Sequence, residues 1–415
     1  MLILFVIAVA AISFLVSSLK SSSSQTERDK ITAAALAQAK EALIGFAEGV
    51  NLISSAARPG DLPCPDTDDD GQAQSSCDAQ VKRLGRLPWK TLKLPDLRDG
   101  YGERLWYAVS TNFKNNTRIG NLNSDTIGTI TVRDASGTIV NNGVQFTAAI
   151  AVVISPGASI TRQDGLVQTR DVAGNLNPKN YLDILVGTED NAGFIESTTD
   201  GFIKGRIWDS SRNTVVNDEF VTITYSELMP LVEKRVREEV LACLTYYAAN
   251  NDGRYPWAAK MDTSATPLPP AYSDDSNVLF GRLPDTPFVN TQTDGGALST
   301  MDDIWTPECN IKSASGWWLN WKEMVFYAVA GGCKPSPATG CSGTLVVNPP
   351  SSTPDKRIVV IVAGRRLAGV SGGQLRGNNA EKGTAANYLE SNNLSGAPFQ
   401  QGKATPSFND NLGYR

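Results

Sequence analysis

Residues 244–258 read "LTYYAANNDGRYPWA", deep inside a 415-residue chain that contains no histidine. Leu244 and Tyr247 continue a spacing set by Leu231, Val232, Val236, Val240 and Leu241, so residues 226–250 are expected to form an amphipathic helix. Asn250, Asn251, Asp252 and Gly253 tolerate turn or left-handed geometry, and Pro256 keeps the helix from resuming. The stretch therefore reads as a junction where a packing helix hands over to a sheet-bearing head. The chain holds that junction twice.

The first copy begins with residues 26–50, where Leu36, Ala39, Leu43, Phe46 and Val50 recur every three or four positions as one apolar stripe. Four pairs of segments then follow in the same order in both halves: "LGRLP" with "FGRLP", "ERLWYAV" with "KEMVFYAV", "AAIAVVISPG" with "RIVVIVAGRR", and "NYLDI" with "NYLES". Ordered matches of this kind imply a duplicated unit of helix, loop, short helix and antiparallel sheet. The expected fold class is α+β: an N-terminal hydrophobic helix running on into an amphipathic one, then two heads, each a helix packed on an antiparallel sheet. The boundaries are drawn at 1–24 for a membrane anchor, 25–215 for the first helix and head, and 222–415 for the second.

Composition sets the frame. Apolar residues make up 41% and charged residues 20%, while 36 Gly and 22 Pro imply many turns. A net charge of -5 without a long basic run leaves no electrostatic footprint for nucleic acid, which is excluded as a partner. Residues 1–19, "MLILFVIAVAAISFLVSSL", are apolar and uncharged, about the length needed to cross a hydrocarbon layer. They lack the basic region that precedes the apolar core of a secretory signal, so a single-pass inner-membrane anchor carrying a periplasmic body is the expectation. Cys64/Cys77 and Cys333/Cys341 each bracket a short loop of turn formers, which points to local disulfides and leaves Cys243 and Cys309 to pair across a longer loop. Structural zinc is the competing reading, disfavoured by the absence of histidine and of any Cys-x-x-Cys. Disulfides place the body in an oxidising compartment.

At this point the sequence resembles a known family. "LTYYAANNDGRYPW" is similar to the junction of type IV pilins and type II secretion pseudopilins, and "LAQAKEALIGFAEG" with "LPCPDTDDDG" looks like its counterpart in large minor pilin-like proteins with tandem heads. The resemblance implies a non-enzymatic structural component of a type IV pilus or type II secretion system, with other pilin or pseudopilin subunits as partners and incorporation in a surface filament. The basic leader, the cleavage-site Gly and the Glu at the fifth mature position usual in that family are not visible before "MLILFVIAV". Either the leader is missing from the given chain or the protein is an unprocessed, anchored relative.

Several constellations compete with this structural reading. Asp66, Asp68 and Asp70 alternate ahead of Gly71 like the opening of an EF-hand-like calcium loop, but the twelfth position is Cys77, and a solvated acidic turn explains the same residues. Calcium is the one cofactor the sequence suggests, and the resemblance adds support because pseudopilin heads often hold it. Trp317, Trp318, Trp321, Phe326 and Tyr327 are spaced for one helix face and so for packing; an exposed Trp317 or Trp318 would instead offer a partner contact, as in a tethered periplasmic binding module. Asp96, Arg98, Asp99, Glu103 and Arg104 fit a turn with ion partners, with a carboxylate-dependent hydrolase as the remaining alternative. Ser371 in "GVSGG" matches a nucleophile elbow but has no histidine to take its proton. No catalytic residue is assigned.

Overall fold

In a computed structural model the described residues are 2–51, 58–79, 83–170, 176–194, 201–261, 272–276, 278–285, 309, 311, 316–335, 341–368, 373–396 and 398–415, with side chains described from residue 23 onward. The chain divides into two compact units: Met1–Phe46, Leu62–Ile119 and Ile127–Tyr225 form the first, and Ala47–Asp61, Gly120–Thr126 and Ser226–Arg415 the second. The fold is mixed α+β with several small sheets.

The first unit carries helix α1 (Leu2–Glu48) and strands β1 (Leu84–Arg86), β2 (Trp106–Val109), β3 (Thr131–Arg133), β4 (Ile139–Asn141), β5 (Ala149–Ser155), β6 (Ile184–Leu185), β7 (Glu189–Asp190), β8 (Gly201–Ile203), β9 (Ile207–Trp208), β10 (Thr214–Val216) and β11 (Glu219–Thr224). Its main sheet is antiparallel in the order β1-β2-β5-β11. The second unit carries α2 (Tyr225–Ala249), β12 (Phe280–Arg282), a short α3 (Gly316–Trp321), β13 (Val325–Val329), β14 (Leu345–Val347), β15 (Ser351–Lys356), β16 (Ile358–Val362) and β17 (Asn411–Tyr414). Its main sheet is also antiparallel, in the order β12-β13-β16-β17.

The two sheets agree in register as well as in order. Leu84, Gly85 and Arg86 face Ala108, Tyr107 and Trp106, just as Phe280, Gly281 and Arg282 face Ala328, Tyr327 and Phe326. Tyr107 donates its hydroxyl to the Pro63 carbonyl at 3.1 Å, and Tyr327 donates to Pro256 at 3.0 Å. The repeated Gly-Arg-Leu-Pro now has a reason. Each Gly lets the backbone before it approach, each Arg guanidinium lies between two rings (Trp106 and Tyr181, or Phe326 and Tyr388), and each Leu is buried.

Thr32, Ala35, Leu36, Ala39, Leu43 and Ala47 form the buried stripe of α1; Phe46 and Val50, read as part of it, are only half-buried. Along that helix Gly100 donates its N–H to Thr32 Oγ1 at 3.0 Å, and a Cβ on Gly100 would lie 2.3 Å from the Arg28 carbonyl oxygen. In the second unit Arg237 of α2 reaches the Leu412 carbonyl on β17 at 3.1 Å. The junction behaves as its residues dictate. α2 stops at Ala249, Asp252 and Gly253 take positive φ, and Gly253 N–H closes on the Ala248 carbonyl at 2.8 Å.

Two expectations need correction. Among the described residues no helix is long and apolar enough to cross a membrane, which overturns the single-pass inner-membrane protein with a periplasmic body expected from residues 1–19. The side chains of that segment lie outside the described residues. Every residue of the central strands β5, β13 and β16 is buried, and in the first unit Tyr181, Leu182, Phe194 and Phe202 cover the sheet from the crossover that follows β5. Finally, Phe326 and Tyr327 are not on a helix face with the tryptophans; α3 ends at Trp321 and both rings belong to strand β13.

Candidate functional site

Asp66, Asp68 and Asp70 do come together, with one carboxylate oxygen from each within 4.8 Å of the others. Their geometry is that of a side-chain-capped turn. The buried Asp66 carboxylate accepts main-chain N–H groups from Asp68 at 3.1 Å, Asp69 at 2.7 Å and Gly71 at 2.7 Å, with Asp69 and Gly71 at positive φ. Three donors fix the Asp66 carboxylate in the turn, and the remaining carboxylate oxygens of the three acids are the ones that could hold a hard cation. Burial raises the Asp66 carboxyl, while a hydrogen bond with Gln74 and the Asp66 neighbour lower that of exposed Asp68. Asp78, next to the twelfth position, is engaged elsewhere: buried Lys114 and the Thr117 N–H hold its carboxyl well below the usual range.

All six cysteines pair, as Cys64–Cys77, Cys243–Cys309 and Cys333–Cys341. Trp317 and Trp318 are fully buried, so neither offers an exposed face to a partner; they pack edge to face with centroids 5.5 Å apart. Beneath them Lys322 Nζ lies 2.7 Å from Asp285 Oδ2, both side chains wholly inside. Asp96 is gripped by Arg104 at 2.9 and 3.1 Å and by Arg98 at 2.7 Å. Asp99 accepts from the N–H groups of Tyr101 and Glu103 at 2.9 Å and from Ser155 Oγ at 2.7 Å. These carboxylates are structural turn elements. Ser371 lies outside the described residues.

The most concentrated polar cluster was not singled out from sequence, and it occurs once in each unit. In the first, Asp218 Oδ2 accepts the Asp183 N–H at 2.8 Å and Asn191 Nδ2 at 2.9 Å, while Asp183 accepts Gln168 Nε2 at 2.9 Å and the Asn217 N–H at 2.6 Å. In the second, Asp410 Oδ2 accepts the Glu390 N–H at 3.0 Å and Asn393 Nδ2 at 2.9 Å, while Glu390 accepts Gln374 Nε2 at 2.7 Å and the Asn409 N–H at 2.9 Å. Arg170 and Arg376 stand behind the glutamines, bonded to their Oε1 atoms at 3.0 and 3.2 Å. Each Asn also clamps one main-chain residue, Ile203 or Gln400, through both its N–H and its carbonyl.

Burial, and then the adjoining acid, push Asp218 and Asp410 well above the usual carboxylate range. Burial pushes Asp183 up to about 6. The sequence signal was present: "VQTR" and "GQLR", "NYLD" and "NYLE", "VND" and "FND" recur in one order. Only the middle pair stands out by eye, because the other two share two residues each. Compared with known proteins, the chain matches no protein-family model, no curated protein and no solved structure.

Proposed function

We propose that this chain is a non-catalytic structural subunit of the minor-pilin or pseudopilin kind, contributing two heads to a type IV pilus or a type II secretion assembly alongside other subunits of that class. The observation that carries the reading is the duplicated unit itself: a long helix, a proline-containing junction whose Pro carbonyl is clamped by a strand tyrosine, and a four-stranded antiparallel sheet in matching register. Trp317, Trp318 and Trp321 of the aromatic cluster are inside, while Asp96 is bound by Arg98 and Arg104 and Asp99 by main-chain N–H groups. Three disulfides suit a protein that must persist in an oxidising environment.

The test is made in the native host with an epitope-tagged chain. Sheared filaments and cross-linked secretion complexes should contain the tagged chain bonded to other pilin-class subunits, and deletion should reduce filament number or secretion. A chain absent from both fractions, whose deletion changes neither, would remove the proposal.

A further inference from the structure

The acid pairs hold a charge imbalance that the fold must resolve. Two carboxyl groups meet in each unit, all four side chains are buried, and among the described residues no Lys or Arg is hydrogen-bonded or ion-paired to any of them. Arg170 spends its donors on Gln168 and on the carbonyls of Pro156, Gly157, Ala158, Asn180 and Tyr181, with Glu103 3.8 Å away. Arg376 spends its donors on Gln374, Asp125 and the carbonyls of Gly364 and Asn387. The other charged groups packed around the first pair are engaged among themselves: Arg162 with Asp164 and Asp190, and Arg133 with Glu189. Near the second pair, Lys382 is bound to Glu323.

One atom in each pair is also left over. Asp218 Oδ1 and Asp410 Oδ1 are buried and have no hydrogen-bond partner, at the same place in both units. Two ionised carboxylates side by side in a dry interior are strongly disfavoured, whereas a proton on one of them removes a charge and turns the orphaned oxygen into a donor. Both acids sit one residue before the last strand of their sheet, β11 from Glu219 and β17 from Asn411. Their partners Asp183 and Glu390 lie in the crossover covering that sheet.

We propose that each unit retains one proton in its carboxyl pair at neutral pH, and that this proton latches the final strand to the crossover, so that its loss in alkaline solution loosens that strand. The inference is independent of any filament role. Sign follows from linkage: a carboxyl with a raised folded-state pKa favours the fold below its unfolded value near 4, and that contribution fades as pH rises through the folded value. Asp183, at about 6, gives the first unit a decline between pH 4 and 6; Asp218 and Asp410 extend the decline in both units above that.

The experiment is side-chain carboxyl NMR on the full chain labelled with 13C at aspartate, together with pH-dependent hydrogen exchange. Two aspartate carboxyls should remain protonated at pH 7, and Asp218→Asn and Asp410→Asn should each remove one of them. Corrected for the intrinsic rate, exchange of Glu219–Thr224 and Asn411–Tyr414 should accelerate about tenfold per unit of pH once the proton leaves. The Asn variants, which keep the acceptor and supply the donor, should flatten that dependence. Full ionisation of every aspartate below pH 5 would overturn the proposal on the unmodified protein, whatever the variants do. A proton present without faster strand exchange would overturn the latch.

Discussion

Gly281 has no room for a side chain: a Cβ there would fall 1.9 Å from the Ala259 carbonyl oxygen, and one on Gly85 would fall 2.5 Å from that of Asp66. Both oxygens take part in two-bond bridges to the following arginine, Ala259 with Arg282 and Asp66 with Arg86, so neither can retreat without breaking the bridge. Gly281→Ala and Gly85→Ala are each expected to cost about 1–3 kcal/mol, with Gly281 the worse, whereas Gly331→Ala, which meets nothing within 4 Å, should be close to neutral. Chemical denaturation of the three variants checks the order; equal stability for all three would contradict the close approach. At this scale the repeated motif was visible in the sequence, but its cause was not. A Gly chosen for backbone contact and an Arg chosen for two aromatic faces look alike in a string of letters to any surface loop.

Between elements the disulfides do unequal work. Cys243 sits within α2 and its partner lies 66 residues on, while Cys333 and Cys341 are only 8 apart. Closing the longer loop removes more freedom from the unfolded chain, so Cys243→Ser with Cys309→Ser should cost about 4 kcal/mol and Cys333→Ser with Cys341→Ser about 2.5 kcal/mol. Denaturation of the two double variants compares them directly, and the reverse ranking would mean that native contacts rather than chain entropy set the stabilisation. Both helices were legible, since a stripe at three- and four-residue spacing has few other uses. The short helix was misjudged at its end. "SGWWLNWKEMVFYAV" keeps helical spacing from Trp318 to Trp321, but the β-branched and aromatic run from Val325 to Val329 pairs with β12 and β16 and is taken up as a central strand.

Across the whole molecule, chain order and unit membership diverge. Ala47–Asp61 and Gly120–Thr126 belong to the second unit although first-unit sequence flanks them. There the Ser124 hydroxyl donates to the Ala363 carbonyl at 2.7 Å, Asp125 meets Arg376 at 3.0 Å, and Asn320 Oδ1 accepts the Leu122 N–H at 2.9 Å. A fragment starting at residue 226 therefore lacks part of its own unit and should melt below any transition of the intact chain. Calorimetry of the fragment reads this, and an unchanged transition would show those segments to be dispensable. What the sequence determined by itself is what local chemistry encodes: two amphipathic helices, a Gly-stopped junction, three pairs of cysteines and an ordered repeat. What only the tertiary structure decided is everything that depends on groups distant in the chain. That covers the shared register of the two sheets, the choice between packing and an exposed partner contact for Trp317 and Trp318, and the pairing of acids 35 and 20 residues apart. A carboxyl's charge is set by the water and counter-ions around it, and only packing settles which of those remain.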